Sequence, residues 1–302
     1  MKVSVITPFY NGNAYIHAYE EMMAANERSL ESGDVLEVVL VNDSPGVAIE
    51  LSGVYAARRN WRIILNEKNM GIHASRIHGL SEATGDYVIF LDQDDALAED
   101  AIACMLEVAR ELAKPGEQRM CYQVIVANAL LEQSDGSEVE WYRTAYHKGL
   151  IDKRRAYLKV GTQIMSPGQC MMAREIIPRE WMTHVLTVNG ADDYFLWLLM
   201  LDKGIGFHYV DEPLYIHHRT GENVSGNIGQ TEESTAQFMH YLSEMEYPPR
   251  PLAQLNRQVR YKQEFRSGDF GRKCLLSLLN FDLFCANVYF KLRTKTGYGF
   301  NR

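Results

Sequence analysis

Along the first hundred residues, short apolar runs alternate with stretches of helical spacing, and each apolar run stops at a polar cluster. Val3–Thr7 is closed by Pro8, Asn11 and Gly12. Apolar runs of this length bounded by turn formers are the pattern of strands buried on both faces. Leu36–Val41, Trp61–Leu65 and Tyr87–Leu91 repeat it. Between them, Ala14–Leu30, Ala48–Arg59 and His73–Ala83 read as helices. Further on, the pattern predicts a helix over Ala101–Leu112 and strands at Gln123–Leu131, Cys170–Ala173 and Gly206–Val210. Asp192–Leu201 reads as a helix with an acidic first turn, which the helix dipole favours.

Strands alternating with helices predict an α/β fold with a doubly wound, mostly parallel sheet flanked by helices. Ligands of such sheets sit beyond the carboxyl ends of the strands. The polar clusters fall at those ends: Tyr10 and Asn11, then Asp43, then Asn69 and Gly71, then Asp92 to Asp95. Their convergence predicts one site.

Composition narrows the picture. In 302 residues, 46% are hydrophobic and 23% charged, which excludes wholesale disorder. Cys104, Cys121, Cys170, Cys274 and Cys285 form no C-x-x-C pair, so they read as buried, reduced thiols of a cytoplasmic protein. The opening MKVSVITPFYNG reads as a first strand and not a signal peptide. The longest apolar stretch, Cys274–Phe290, is interrupted by Asp282, so no spanning helix is expected. The net charge of −8 is uneven: residues 250–302 hold 11 basic and 3 acidic side chains, +8, against −16 in the rest. A basic tail implies an anionic neighbour, while the acidic body repels nucleic acid.

Asp92 and Asp94 directly follow a strand and, being two apart, share a side in extended chain. Mg²⁺ and Mn²⁺ take oxygen ligands and share them with substrate phosphates, so Asp-Gln-Asp here is a metal–diphosphate candidate. Its bland alternative is a solvated acidic turn capping the next helix.

Four segments, VSVITPFYN (3–11), VVLVNDS (38–44), NMGIHASRIHGL (69–80) and YVIFLDQDD (87–95), resemble in order the family 2 glycosyltransferases with the GT-A fold. A fifth, ADDYFLWLLML (191–201), is similar to that family's acidic catalytic helix. The resemblance covers about the first 220 residues. It implies a GT-A-type, Rossmann-like domain over 1–225, with a nucleotide-binding half (1–100) and an acceptor half (101–225), then a helical extension over 226–302. It implies a nucleotide-sugar donor, UDP-linked on the evidence of Asp43 with Arg76, and a saccharide or lipid-linked saccharide acceptor. Tyr10 would stack on the base, with Thr7 and Pro8 lining its pocket; Asp43 would accept from the base imide. Arg76 would reach base or diphosphate, and Asp92, beside Gln93, the ribose or sugar. Asp94 would hold Mn²⁺ or Mg²⁺, with His218 or His217 closing over the diphosphate as a further ligand. Asp193, with Asp192 as rival, would be the base of an inverting transfer. Phe195 and Leu199 stand where the family usually has an acid and an arginine.

Two other functions compete. VIFLDQDD superficially resembles the nucleophile motif of haloacid-dehalogenase-type phosphatases, with Asp92 phosphorylated, but three strands precede it here where that motif opens its domain. A non-catalytic nucleotide-sugar-binding scaffold is the other. In the tail, Ser267–Thr296 carries a broad apolar arc flanked by Arg272, Lys273, Lys291, Arg293 and Lys295. That composition predicts a helix lying in an anionic membrane surface, at the inner face of the cell membrane, against the alternative of a helix packed on the catalytic lobe or in a homodimer.

Overall fold

The computed structural model describes residues 1–114, 123–133, 135–218 and 227–295. Of the cysteines read as buried, Cys170 is, Cys104 is partly so, and Cys274 and Cys285 are exposed on the C-terminal helices; Cys121, and Arg219, Asn223 and Ser225 after the paired histidines, lie outside the described residues. The predicted apolar runs form strands β1 (Lys2–Phe9), β2 (Val35–Asn42), β3 (Trp61–Leu65) and β4 (Tyr87–Phe90). They pair in parallel in the order β3-β2-β1-β4. Val3, Val5, Ile6, Val38 to Val41 and Val88 to Phe90 are buried because helices cover the sheet. Helix α1 (Ile16–Ser29) buries Ile16, Tyr19, Glu20, Met23 and Ala24, a stripe at helical spacing. The Ala48–Arg59 helix is a correction: only α2 (Gly53–Ala56) is helical there. That segment buries none of its side chains, and Val54 stays exposed, so no apolar stripe rewards a longer helix. Helix α3 (Ile72–Glu82) lies close on β1 and β2, because Gly79 has no Cβ; one there would stand 2.3 Å from Ile6 Cγ2.

Beyond α4 (Ala101–Leu112), the sheet turns mixed. It gathers β5 (Ala96–Leu97), β6 (Gln123–Glu132), β7 (Glu138–Glu140), β8 (Cys170–Ala173) and β9 (Gly206–His217). The full order is β3-β2-β1-β4-β8-β6-β9-β5, with β7 on β6. β8 is antiparallel to both β4 and β6, whereas β6 and β9 run parallel. β9 continues seven residues past its predicted end, through Asp211, Glu212 and Pro213. A register shift around Asn128 accommodates this stretch. The Asn128 carboxamide oxygen accepts from the Ala129 and Tyr142 amides at 2.9 and 3.0 Å, holding the irregular turn.

The helices are α5 (Ala145–Lys148), α6 (Arg154–Lys159), α7 (Arg179–Thr183), α8 (Asp192–Asp202), α9 (Ile228–Glu244), α10 (Pro249–Ser267), α11 (Phe270–Leu279) and α12 (Phe281–Thr294). The tail is therefore two helices, bent by 104° at Asn280. It is also docked: Leu283, Asn287 and Phe290 are buried, and Asn287 Nδ2 donates to the Lys159 carbonyl at 3.2 Å. Asp282, out of place on an apolar face, pairs with Lys159 at 2.7 Å and Arg257 at 2.6 Å. No single helix among the described residues is long and apolar enough to cross a membrane.

Candidate active site

The carboxyl ends of β1, β2 and β4 open into a cleft of about 380 Å³. Pro8, Tyr10, Asp43, Arg76, Asp92, Gln93, Asp94, Asp192, Asp193 and His217 all line it. Ten of the twelve predicted site residues therefore meet there. Thr7 does not: it is fully buried, because its side chain points into the core, and its hydroxyl lies 2.8 Å from the Tyr19 hydroxyl. His218 also turns away, its Nδ1 lying 2.7 Å from Glu132 Oε2. Of the two histidines, His217 is the one that lines the cleft.

Tyr10 is 52% exposed, so its ring is not core packing. Its backbone is held instead. Gln93 Oε1 accepts from the Tyr10 amide at 2.8 Å, and Gln93 Nε2 donates to the Tyr10 carbonyl at 3.1 Å. This pair joins the loop after β1 to the loop after β4. Gly12 leaves room for it, since a Cβ there would lie 2.4 Å from Gln93 Oε1.

Asp43 is buried and organises the loop leading to α3. Its carboxylate accepts from Asn66 Nδ2 at 2.8 Å, the Met70 amide at 2.7 Å and the Gly71 amide at 2.9 Å. A carboxylate offers about four acceptor positions, so one remains towards the cleft. Gly71 starts α3 at φ 84°, and Asn189 Oδ1 would lie 2.8 Å from a Cβ there.

Arg76 is the hinge of the electrostatics. It is buried on α3 with its guanidinium between two carboxylates, donating to Asp192 Oδ2 at 2.6 Å and to Asp92 Oδ1. It thus ties the end of β4 to the start of α8. Burial raises the Asp192 carboxyl, but Arg76, with His73, outweighs it and holds Asp192 below the usual range. Asp193 differs. Burial, the neighbouring Asp192 charge and Asp92 push it up to about 7, against the pull of Arg76 and the Tyr194 amide. That amide donates to Asp193 Oδ1 at 2.6 Å. Asp92 is pushed to about 6, chiefly by burial and with Asp95 and Asp94 adding, against Arg76. The two adjacent acids thus sit in different surroundings: Asp192 is ion-paired with Arg76 and held down, whereas Asp193 is held above the usual carboxylate range.

Asp95 fell within the predicted polar cluster but was given no role. It is buried and accepts from the Tyr215 hydroxyl, from the His218 amide at 3.2 Å and from His217, whose Nδ1 lies at 2.9 Å. Burial lowers the His217 imidazole, but Asp95 outweighs it and leaves it above the ordinary value. The only hint in the sequence is that Asp95 is the third acid of Asp92-Gln93-Asp94-Asp95. Met165, Ser166 and Pro167, and Asn189 with Gly190, complete the lining without any sequence signal.

For a divalent cation, the described residues bring no group of three or more His, Cys, Asp or Glu side chains into ligating range. The oxygen donors at the cleft still fit Mg²⁺ or Mn²⁺, which one or two carboxylates hold together with substrate phosphates.

A parallel α/β sheet extended by antiparallel strands, with an acid-lined cleft at its carboxyl edge, is the GT-A-type architecture of nucleotide-sugar transferases. The chain belongs to glycosyl transferase family 2, whose model matches residues 4–180. It is 38% identical over 114 residues to a cholesterol galactosyltransferase of Borreliella burgdorferi, covering 37% of this chain and 29% of the relative. It is 26% identical over 222 residues to an N-acetylglucosaminyltransferase of Sinorhizobium fredii, covering 70% of this chain and 51% of the relative. The chain thus spans about half or less of these two relatives. Among solved structures, S. aureus TarS residues 1–349 in complex with UDP-GlcNAc superposes with a TM-score of 0.60 at 15% identity, over 95% of this chain and 81% of that one. That likeness concerns the fold.

Proposed function

We propose that the protein transfers a sugar from a nucleotide-sugar donor, a UDP-sugar, to an acceptor hydroxyl with inversion at the anomeric carbon. The observation that carries this is the meeting in one cleft of the exposed Tyr10 ring and Asp43 with Asp193 and the two acids, Asp92 and Asp192, that Arg76 bridges. Asp193 takes the proton of the acceptor hydroxyl. That oxygen forms the new bond to the anomeric carbon as the bond to the diphosphate oxygen breaks, and the electron pair leaves with the nucleoside diphosphate. Asp192 and Asp92 fix Arg76, whose positive charge stands beside the departing diphosphate. Tyr10 offers its exposed ring to the base above Pro8, and Asp43 its remaining acceptor position. A divalent cation held by Asp94, with His217 beside it, would add positive charge at the diphosphate. The complex of TarS with UDP-GlcNAc supports the choice of donor.

We place the acceptor at an anionic membrane surface, at the inner face of the cell membrane. Along α11 and α12, Phe270 (84%), Leu278 (74%), Leu279, Phe281 and Leu292 (72%) are exposed, with Leu278, Leu279 and Phe281 at the bend. Monomeric soluble proteins rarely leave such a concentration of large apolar side chains uncovered. Lys273, Lys291, Arg293 and Lys295 border it, which suits acidic headgroups.

Calorimetric titration of UDP with Mn²⁺ tests the donor site: metal-dependent binding is expected, and Asp94→Ala should abolish the metal dependence. A folded protein that binds neither UDP nor UDP-sugars refutes it. Co-sedimentation with phosphatidylglycerol vesicles at low salt tests the surface. Binding should fall in the double variant Leu278→Glu, Leu279→Glu. Failure to co-sediment, with dimer formation by sedimentation velocity, would assign the face to a second copy.

A further inference from the structure

A second cavity, of about 190 Å³, adjoins the cleft. Met165, Gly190 and Asp193 line both, so the two chambers meet at Asp193. The far wall is built by two helices of the C-terminal extension. Ile228, Thr231, Glu232 and Thr235 recur at three- and four-residue spacing and so form one face of α9. Gln258, Val259, Lys262, Gln263 and Arg266 do the same on α10.

The charged groups of this wall are already engaged. Arg266 Nη1 pairs with Glu232, and Lys262 is engaged as well. With Asp193 at the mouth, the lining holds two cations and two carboxylates, formally in balance. The open hydrogen-bonding groups are the uncharged ones. The Thr235 hydroxyl and the Gln263 carboxamide, both partly accessible, bond to nothing among the described residues. Gln258 is buried; its Nε2 donates to the Val160 carbonyl at 3.5 Å, while its Oε1 has no hydrogen-bond partner among the described residues. A buried acceptor without a donor is unfavourable, and a guest that brings an O–H relieves it. Ile228, Val259 and Tyr194 put apolar surface between these groups. Apolar walls set with a few neutral hydrogen-bonding groups suit an uncharged polyhydroxy ligand.

We propose that this cavity is the acceptor subsite and takes one ring of an uncharged saccharide. The C–H face of the ring lies on Ile228, Val259 and Tyr194. Its hydroxyls bond Thr235, Gln263 and Gln258 Oε1, and the hydroxyl to be glycosylated faces Asp193. A carboxylate or phosphate in place of one of these hydroxyls brings acceptors alone, so it cannot fill Gln258 Oε1, and it must displace Glu232 to reach Arg266. Acceptor choice then resides in α9 and α10, apart from the donor chemistry at the sheet edge. The assignment rests on the proposed transfer at Asp193.

The test titrates the methyl glycosides of glucose, galactose, mannose, N-acetylglucosamine and glucuronic acid into the full chain, with and without UDP and Mn²⁺. Binding is followed by saturation-transfer NMR. At least one neutral glycoside should bind, and methyl glucuronide should bind no more tightly than methyl glucoside. The double variant Thr235→Val, Gln263→Leu should weaken the neutral glycoside at least about tenfold, with UDP affinity and melting temperature unchanged. Thr235→Val alone, with about a threefold loss, serves if the double variant folds poorly. No binding of any neutral glycoside overturns the proposal. So do a glucuronide that binds more tightly than the glucoside, and variants that bind the glycoside as wild type does. If UDP fails to bind but glycoside binding depends on Thr235 and Gln263, the donor reading falls and the neutral saccharide site stands.

Discussion

Replacing Asp193 by Asn tests the division of labour on α8 through stability and rate together. Asparagine keeps an oxygen to accept the Tyr194 amide bond, so the local geometry survives. The carboxyl moves from an ordinary 3.8 to about 7 in the folded chain. The folded state therefore holds the proton more tightly than the unfolded one. The stability this confers is complete below about pH 4 and is lost as pH rises through 7. At about 1.4 kcal/mol per pKa unit, a rise of roughly three units corresponds to about 4 kcal/mol. Urea unfolding of both proteins between pH 4 and 8 should show wild type losing that much relative to Asp193→Asn, which lacks this one carboxyl and keeps the other titrating groups. In parallel, wild-type kcat/KM should climb with pH to a midpoint near 7, and the variant should lose about 10²- to 10⁴-fold in kcat. A stability difference that stays flat with pH, or an asparagine variant with wild-type kcat, would refute the reasoning.

Arg76→Met should destabilise the fold by about 3–5 kcal/mol in chemical denaturation, because it leaves Asp92 and Asp192 without their buried countercharge. Tyr10→Ala should weaken UDP binding by about 1–3 kcal/mol in calorimetry, the range of an aromatic ring stacked on a base. Its melting temperature should hardly move, since the ring is half exposed. Gly71→Ala must adopt φ 84° and meet Asn189 Oδ1, so a loss of about 1–3 kcal/mol is expected in unfolding experiments. UDP affinity should fall with it, because the Gly71 amide helps to orient Asp43.

The first half of the sheet was legible because a strand covered on both faces must be apolar along its whole length. Val38 to Val41 and Val88 to Phe90 leave little room for another reading. The cleft was legible for a related reason: polar residues directly after such strands can only lie at the sheet edge. Failure came where the local pattern is blind to partners. The predicted strand stops at Val210, before Asp211-Glu212-Pro213, yet β9 runs on through them, because the irregular register at Asn128 absorbs the extra chain. Thr7 and Pro8 are neighbours on one strand, and only the fold shows that the first faces Tyr19 and the second the cleft. Arg76 was read as reaching for a ligand; its two carboxylate partners lie 16 and 116 residues away, beyond any periodicity. Asp282 looked like a flaw in an apolar arc until Lys159 and Arg257 gave it a purpose.

The reciprocal amide pair between Gln93 and Tyr10 turns two loops into a gauge. On the proposed reading, the ring that would meet the base and the acids that would face the phosphates stand on a single braced piece, so the span between them is set before any ligand arrives. A nucleotide of the right length finds both contacts without first ordering either loop, and that saved entropy goes directly into affinity. One that is longer or shorter must break the brace to reach both ends. Discrimination by length would then reside in the Gln93 side chain that holds the two loops together.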